Sequence, residues 1–127
     1  MIKFNGLLVT AAFFSLLLIN SCAKDKAAQP SDVDCTTVDA ATNTYNLRIK
    51  TIMDNNCAMS GCHDNLTKES NVNLSNYAGT KAGFVSADAL CTIKQEQGCV
   101  PMPDSSPKLA DSLITYIQCW SENGYPE

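Results

Sequence analysis

Cys57-Ala58-Met59-Ser60-Gly61-Cys62-His63 gathers two thiols and the chain's single histidine into seven residues. Two thiols can add to the vinyl groups of a porphyrin, and an imidazole directly behind the second can ligate its iron. The familiar attachment motif separates its cysteines by two residues; here four intervene. Gly61 serves the longer loop, because glycine accepts backbone angles that other residues resist. The pattern predicts one covalently held haem c on Cys57 and Cys62, with His63 as an iron ligand. Two plainer alternatives stand beside it. The histidine could be an ordinary packed residue, and the cysteines could be joined to each other. A zinc site would need a further ligand such as Cys91 or Cys99, and adjacent Cys-His ligands suit a tetrahedral site poorly.

The opposite face of the iron needs a second ligand. With 1 histidine in the chain, bis-histidine ligation is impossible. Met59 lies inside the attachment loop and cannot swing to the far face. Met53 sits one helical turn before Cys57, at a spacing that marks core packing. Met102 stands 102 − 63 = 39 residues beyond His63, in Val100-Pro101-Met102-Pro103. Two prolines stiffen that loop and keep it non-helical, which lowers the entropy lost in holding a thioether against iron. The expected metal ligands are His63 and Met102, a pair that raises the reduction potential and suits electron transfer. No second histidine offers a distal acid–base group, so an electron carrier is favoured over an enzyme.

Positioning these residues requires helices and stiff loops. From Thr42 to Asn56, apolar Tyr45, Ile49, Ile52 and Met53 fall at helical spacing, with Thr42 or Asn43 as cap, and the helix delivers the chain into Cys57. Leu74 to Gly79 opens a helical turn with Ser75 as a possible cap. Ala87 to Gln95 forms another short helix, preceded by Ser86 and stopped by Gly98. The last helix is the clearest: Ser106 caps it, Pro107 suits its first turn, and Asn123-Gly124 ends it. Leu109, Leu113, Tyr116, Ile117 and Trp120 line one of its faces. No strand pattern is present, so the expectation is an all-α domain with long loops.

Residues 1–21 read as a lipoprotein signal peptide. Lys3 supplies the positive start, and Leu7 to Ile19 is too short an apolar run to span a bilayer. Ile19-Asn20-Ser21-Cys22 resembles the lipobox of bacterial lipoproteins, which implies lipidation of Cys22 and an exported protein anchored by lipid in the bacterial cell envelope, on a periplasmic or outer-membrane surface. Ordinary secretion without lipid is the alternative. Residues 22–41 form a polar tether. Residues 42–127 form one small domain, of a size whose core often needs a staple. Of 9 basic side chains Lys3 leaves with the signal peptide, so 8 face 13 acidic ones, a net charge near −5. No basic patch marks a nucleic-acid partner.

The 7 cysteines need an accounting. Cys22 goes to lipid and Cys57 and Cys62 to haem, leaving Cys35, Cys91, Cys99 and Cys119 to pair in an oxidising compartment. Cys91–Cys99 closes a short loop and Cys35–Cys119 ties the domain's ends, so these pairings are favoured among the three available. A third bridge, Cys57–Cys62, would satisfy parity equally well.

Taken in order, four segments resemble the small cytochrome c-like, planctomycete-type haem-binding domains of bacterial lipoproteins. They are Asn56-Cys57-Ala58-Met59-Ser60-Gly61-Cys62-His63-Asp64, Val72-Asn73-Leu74-Ser75-Asn76-Tyr77-Ala78-Gly79, Val100-Pro101-Met102-Pro103 and Cys119-Trp120-Ser121-Glu122-Asn123-Gly124. The resemblance covers Tyr45 to Pro126, and a four-residue gap occurs in this lipoprotein group. It implies a cytochrome c-like fold in which crossed first and last helices and long loops surround one haem. Tyr45, Ile49 and Met53 would then meet Leu113, Ile117 and Trp120, and Leu74 and Tyr77 would line the haem pocket. It also implies His63 as proximal and Met102 as distal ligand. The expected function is a lipid-anchored monohaem c-type cytochrome that exchanges electrons with redox protein partners by outer-sphere transfer. The alternative is a non-haem, disulfide-stapled surface lipoprotein acting as a binding or structural module.

Overall fold

The first helix begins at Thr44, whose backbone is extended and whose side-chain oxygen accepts the Leu47 N–H at 3.4 Å. It winds first as a π-helical segment, Tyr45–Ile49, and runs on without a break as the α-helix Lys50–Asn56 (together α1). Thr42 and Asn43, the caps expected from sequence, are engaged elsewhere. Both of their N–H groups donate to the Asp39 carbonyl, at 3.2 and 3.0 Å. Asn43 is fully buried, with its side-chain nitrogen donating to the Tyr116 carbonyl at 3.0 Å. The computed structural model describes residues 33–86 and 89–127. The expected signal peptide, Cys22 and the first part of the tether lie outside the described residues.

The second helix, Tyr77–Ser86 (α2), starts later than the sequence suggested. Asn76, not Ser75, serves as its cap, accepting the Gly79 N–H at 2.9 Å; the Ser75 hydroxyl is taken up by the Asn73 side chain at 2.6 Å. Ser86 closes α2 rather than opening the next helix. The third helix, Ala89–Lys94 (α3), ends at Gln95, which adopts φ +55°, so the stop comes before Gly98. The last helix, Asp111–Glu122 (α4), begins four residues beyond Pro107 with no side-chain cap. Its approach stays extended because the chain first turns, Ser106 N–H bonding the Pro103 carbonyl at 3.4 Å, and then buries Leu109 in the core. Its end is as expected: the Asn123 N–H returns to the Cys119 carbonyl at 3.0 Å, and Gly124 follows at φ +81°. Among the described residues there are helices, turns and loops but no strand, so the domain is all-α. No helix among them is long and apolar enough to cross a membrane.

The core forms where the first and last helices meet. Ile49 and Met53 of α1 and Ile117 and Trp120 of α4 are fully buried, joined by Tyr45, Leu74, Ile93, Leu109 and Ile114. The Tyr45 and Trp120 rings lie 6.3 Å apart, and the Arg48 guanidinium sits 4.0 Å over the Tyr116 ring. Trp120 also packs edge-on against Phe84 of α2 at 6.1 Å and against Tyr125 at 5.0 Å. The opening N–H groups of α1, which have no partner within the helix, find acceptors at the far end of the chain. Tyr45 N–H donates to the Pro126 carbonyl at 2.9 Å and Asn46 N–H to Glu127 at 3.1 Å. The two disulfides favoured from the sequence are formed: Cys35–Cys119, from the 3₁₀ turn Cys35–Thr37 to α4, and Cys91–Cys99.

The buried indole and the longer disulfide can be tested by chemical denaturation. Trp120→Ala removes a fully buried indole and is expected to cost about 4 kcal/mol. Cys35→Ser with Cys119→Ser releases the long loop between them and is expected to cost about 3 kcal/mol. Urea unfolding followed by circular dichroism reads both.

Candidate functional site

At the end of α1, the N–H groups of Cys57 and Ala58 both donate to the Met53 carbonyl at 2.8 Å, and the chain leaves the helix. Cys62 N–H then bonds the Met59 carbonyl at 3.0 Å, and His63 N–H bonds the Cys57 carbonyl at 3.1 Å. The last bond spans the whole motif, so the four intervening residues bulge out as a loop while its ends stay together. Gly61 turns that loop at φ +86°, and a Cβ there would meet nothing within 4 Å. The backbone angle alone therefore selects glycine. Asp64 fastens the loop from below. Its carboxylate accepts the N–H groups of Leu66, Thr67 (2.8 Å) and Gly61 (3.1 Å) and the Thr67 hydroxyl (2.9 Å). These bonds, the Thr67 N–H foremost, hold the Asp64 carboxyl below its ordinary range.

His63 is half-buried, with Nδ1 3.2 Å from the Val72 carbonyl oxygen. A carbonyl can only accept, so Nδ1 is the donor in this contact; in the neutral imidazole that tautomer leaves the lone pair on Nε2. This is how a metal-ligating imidazole is commonly oriented. Leu74 N–H returns to the His63 carbonyl at 2.8 Å, so the segment 72–74 grips His63 at ring and backbone. That segment is itself held by α2. The buried Thr80 hydroxyl is shared between the Asn76 carbonyl at 2.8 Å and the Leu74 carbonyl at 3.1 Å. Gly79 lies so close to Asn73 that a Cβ would collide with its carbonyl oxygen, and a Cβ on Gly83 would stand 3.2 Å from Leu74.

Cys57 and Cys62 are free, half-buried thiols, whereas Cys35, Cys91, Cys99 and Cys119 are all bonded. Burial, reinforced by the neighbouring Cys62, pushes the Cys57 thiol up to about 11. It therefore stays protonated near neutrality, and the thiolate that would attack a disulfide is scarce. Leu74 is buried and bonded to His63 through its backbone. Tyr77 is half-buried; its hydroxyl donates to the Tyr125 carbonyl at 2.8 Å and its ring lies 5.4 Å from that of Tyr45. Met102 is also half-buried, and its backbone bonds reach α3 rather than the Cys57–His63 loop. A surface cleft of about 350 Å³ beside the loop is lined by Ser60, Asp64, Asn65, Leu66 and Thr67. Another, of about 560 Å³, lies between the 3₁₀ turn at Cys35 and α4 and includes Lys94 and Lys108. Neither is lined by His63 or Met102.

Among the described residues, no three His, Cys, Asp or Glu side chains converge to hold a metal ion. A zinc centre needs such a cluster, whereas a porphyrin supplies its own equatorial nitrogens and asks the chain only for axial ligands. His63, oriented through Nδ1 beside two unbonded thiols, fits that smaller demand.

Sequence reasoning missed the parts that orient His63: the Val72 carbonyl, Thr80 and the Gly79–Gly83 pair. Two glycines four apart on a helix are a legible sign of close approach, and Asp64-Asn65-Leu66-Thr67 has the composition of a side-chain-closed turn. No protein-family model matches the chain, and no curated protein or solved structure does. The site is therefore read from its own residues.

Two outcomes check this geometry. Gly79→Ala gains about 1 kcal/mol of helix propensity but must displace a backbone carbonyl, an overpacking cost of about 2 kcal/mol. A net loss of about 1 kcal/mol in urea unfolding is expected. With its thiol free, Cys57 should be alkylated increasingly as pH rises toward a midpoint near 11. The folded state keeps this proton while the unfolded chain loses it from its ordinary 9.0 upward, so stability should fall as pH rises between the two values. Mass spectrometry of iodoacetamide-treated protein and unfolding curves across that window read the two effects.

Proposed function

We propose that the protein is a lipid-anchored monohaem c-type cytochrome with a cytochrome c-like arrangement of helices, serving as an electron carrier to redox protein partners at the bacterial cell envelope. The observation that carries this reading is His63, with Nδ1 engaged by the Val72 carbonyl at 3.2 Å, next to the two unbonded thiols. The packing of α1 against α4, which brings Tyr45 and Trp120 together, supports the fold. Cys57 and Cys62 would hold the haem by thioether bonds, His63 and Met102 would ligate its iron, and Leu74 and Tyr77 would line its surroundings. When bound, the haem supplies reversible one-electron chemistry.

The chain's own residues supply orientation and shelter. Val72 fixes the imidazole, Asp64 keeps the attachment loop closed, and the fully buried Met53 and Trp120 belong to a core from which water is excluded. With His63 and Met102 as its protein ligands, a bound haem would favour its reduced state and would supply electron exchange with little rearrangement of the chain.

A second reading has one observation in its favour: the core closes tightly on side chains alone, with Ile49, Met53, Ile117 and Trp120 fully buried. In that reading the chain is a disulfide-stapled surface lipoprotein, with Cys57 and Cys62 oxidised to each other, acting as a binding or structural module.

Intact mass and absorbance after denaturation separate the two. Protein expressed with a cytochrome c maturation system is expected to retain the mass of one haem, and a Cys57→Ala, Cys62→Ala variant to lose it. A colourless protein at apo mass under the same conditions, with Cys57 joined to Cys62, would sink the cytochrome reading and leave the second.

A further inference from the structure

The chain beyond α3 is tied down at Met102 more closely than a connecting loop requires. Gln95 N–H donates to the Thr92 carbonyl at 3.1 Å, and the same carbonyl accepts the Met102 N–H at 3.1 Å. The Gln95 side-chain nitrogen lies 3.4 Å from the Met102 carbonyl and 3.4 Å from that of Ser106. Both backbone groups of Met102 are thus bound to the end of one helix, and the Cys91–Cys99 disulfide closes the chain between them. Pro101 and Pro103, on either side, have no N–H to contribute. Gln95 also stands at φ +55°, where glycine or asparagine would sit more comfortably. Neither could span from α3 to these two carbonyls as glutamine does.

The geometry points to Gln95 as a positioning residue for Met102: it clamps the methionine's backbone to the end of α3, so that the thioether is presented to the iron at little entropic cost. This role rests on the cytochrome reading above. A ligand on a preorganised segment competes better against external ligands than one on a free loop. Loosening the clamp should therefore show at the iron before it shows in the fold.

The test compares the haem-loaded protein with Gln95→Glu and Gln95→Gly. Gln95→Glu preserves size, but its ionised carboxylate has no N–H to give and faces two carbonyl oxygens. Gln95→Gly removes the reach while easing the left-handed backbone, so it guards against a result caused by misfolding. Both variants are expected to keep the far-ultraviolet spectrum of the parent. Both should weaken the sulfur-to-iron charge-transfer absorption of the ferric protein, and both should bind imidazole roughly tenfold more tightly. A parent that shows the absorption, with variants that keep it and the parental imidazole affinity, overturns the clamp alone. A parent that carries haem without the absorption overturns Met102 as ligand and the clamp with it. A parent without haem overturns the cytochrome reading itself.

Discussion

One carbonyl oxygen joins the three parts of the chain that define this domain. Pro126 accepts the Tyr45 N–H of the first helix at 2.9 Å and the Trp120 indole N–H of the last at 2.8 Å. Its two lone pairs are both used, and the junction pins the tail between the helices. Around it the indole is fully buried against Tyr45, Phe84 and Tyr125. An aromatic side chain of this size buries on the order of 200 Å² and dominates a small core. The packing of α1 against α4 follows from that burial.

The site inherits its order from this junction through α2. Phe84 ties α2 to Trp120, while Gly79, Thr80 and Gly83 press the opposite stretch of the same helix onto Asn73 and Leu74. The 72–74 segment in turn sets the ring of His63 through Val72 and its backbone through Leu74. The imidazole and its backbone are thus both held by main-chain groups of one segment. Orientation comes from backbone groups that helix packing has already fixed.

Much of this was legible in the chain, and what was not has definite causes. The helical spacing of Tyr45, Ile49 and Met53 and of Leu113, Ile117 and Trp120 identified the two helices that meet. The two disulfides that form are the pairings favoured among the three available, one closing a short loop and the other tying the domain's ends. Helix starts were misplaced wherever a side chain with capping chemistry was already committed: Asn43 to Tyr116, Ser75 to Asn73. Capping propensity describes a residue free to choose, and tertiary contacts remove that choice. The last helix was started too early because Pro107 suits a first turn, whereas burying Leu109 keeps the chain extended to Ala110. At the site, side-chain chemistry named Cys57, Cys62 and His63, but the groups that orient them are mostly backbone carbonyls. A carbonyl has no letter in the sequence, so the Val72 contact could appear only once the chain was folded.

The Cys35–Cys119 bond has a mechanical consequence as well. A tension applied to the chain ahead of Val33 meets this covalent link almost at once and passes into α4. The stretch from Thr36 to Thr44, with its Asp39 turn, is bypassed and left slack. The helix that presents Cys57 is thereby shielded: a pull applied ahead of Val33 would have to part a sulfur–sulfur bond before it could peel Tyr45 from the Pro126 carbonyl. Under reducing conditions the force would run along the backbone instead and unzip α1 from its first turn, towards the thiols. The disulfide thus acts as a strain relief, much as a clamp on a cable protects the joint behind it.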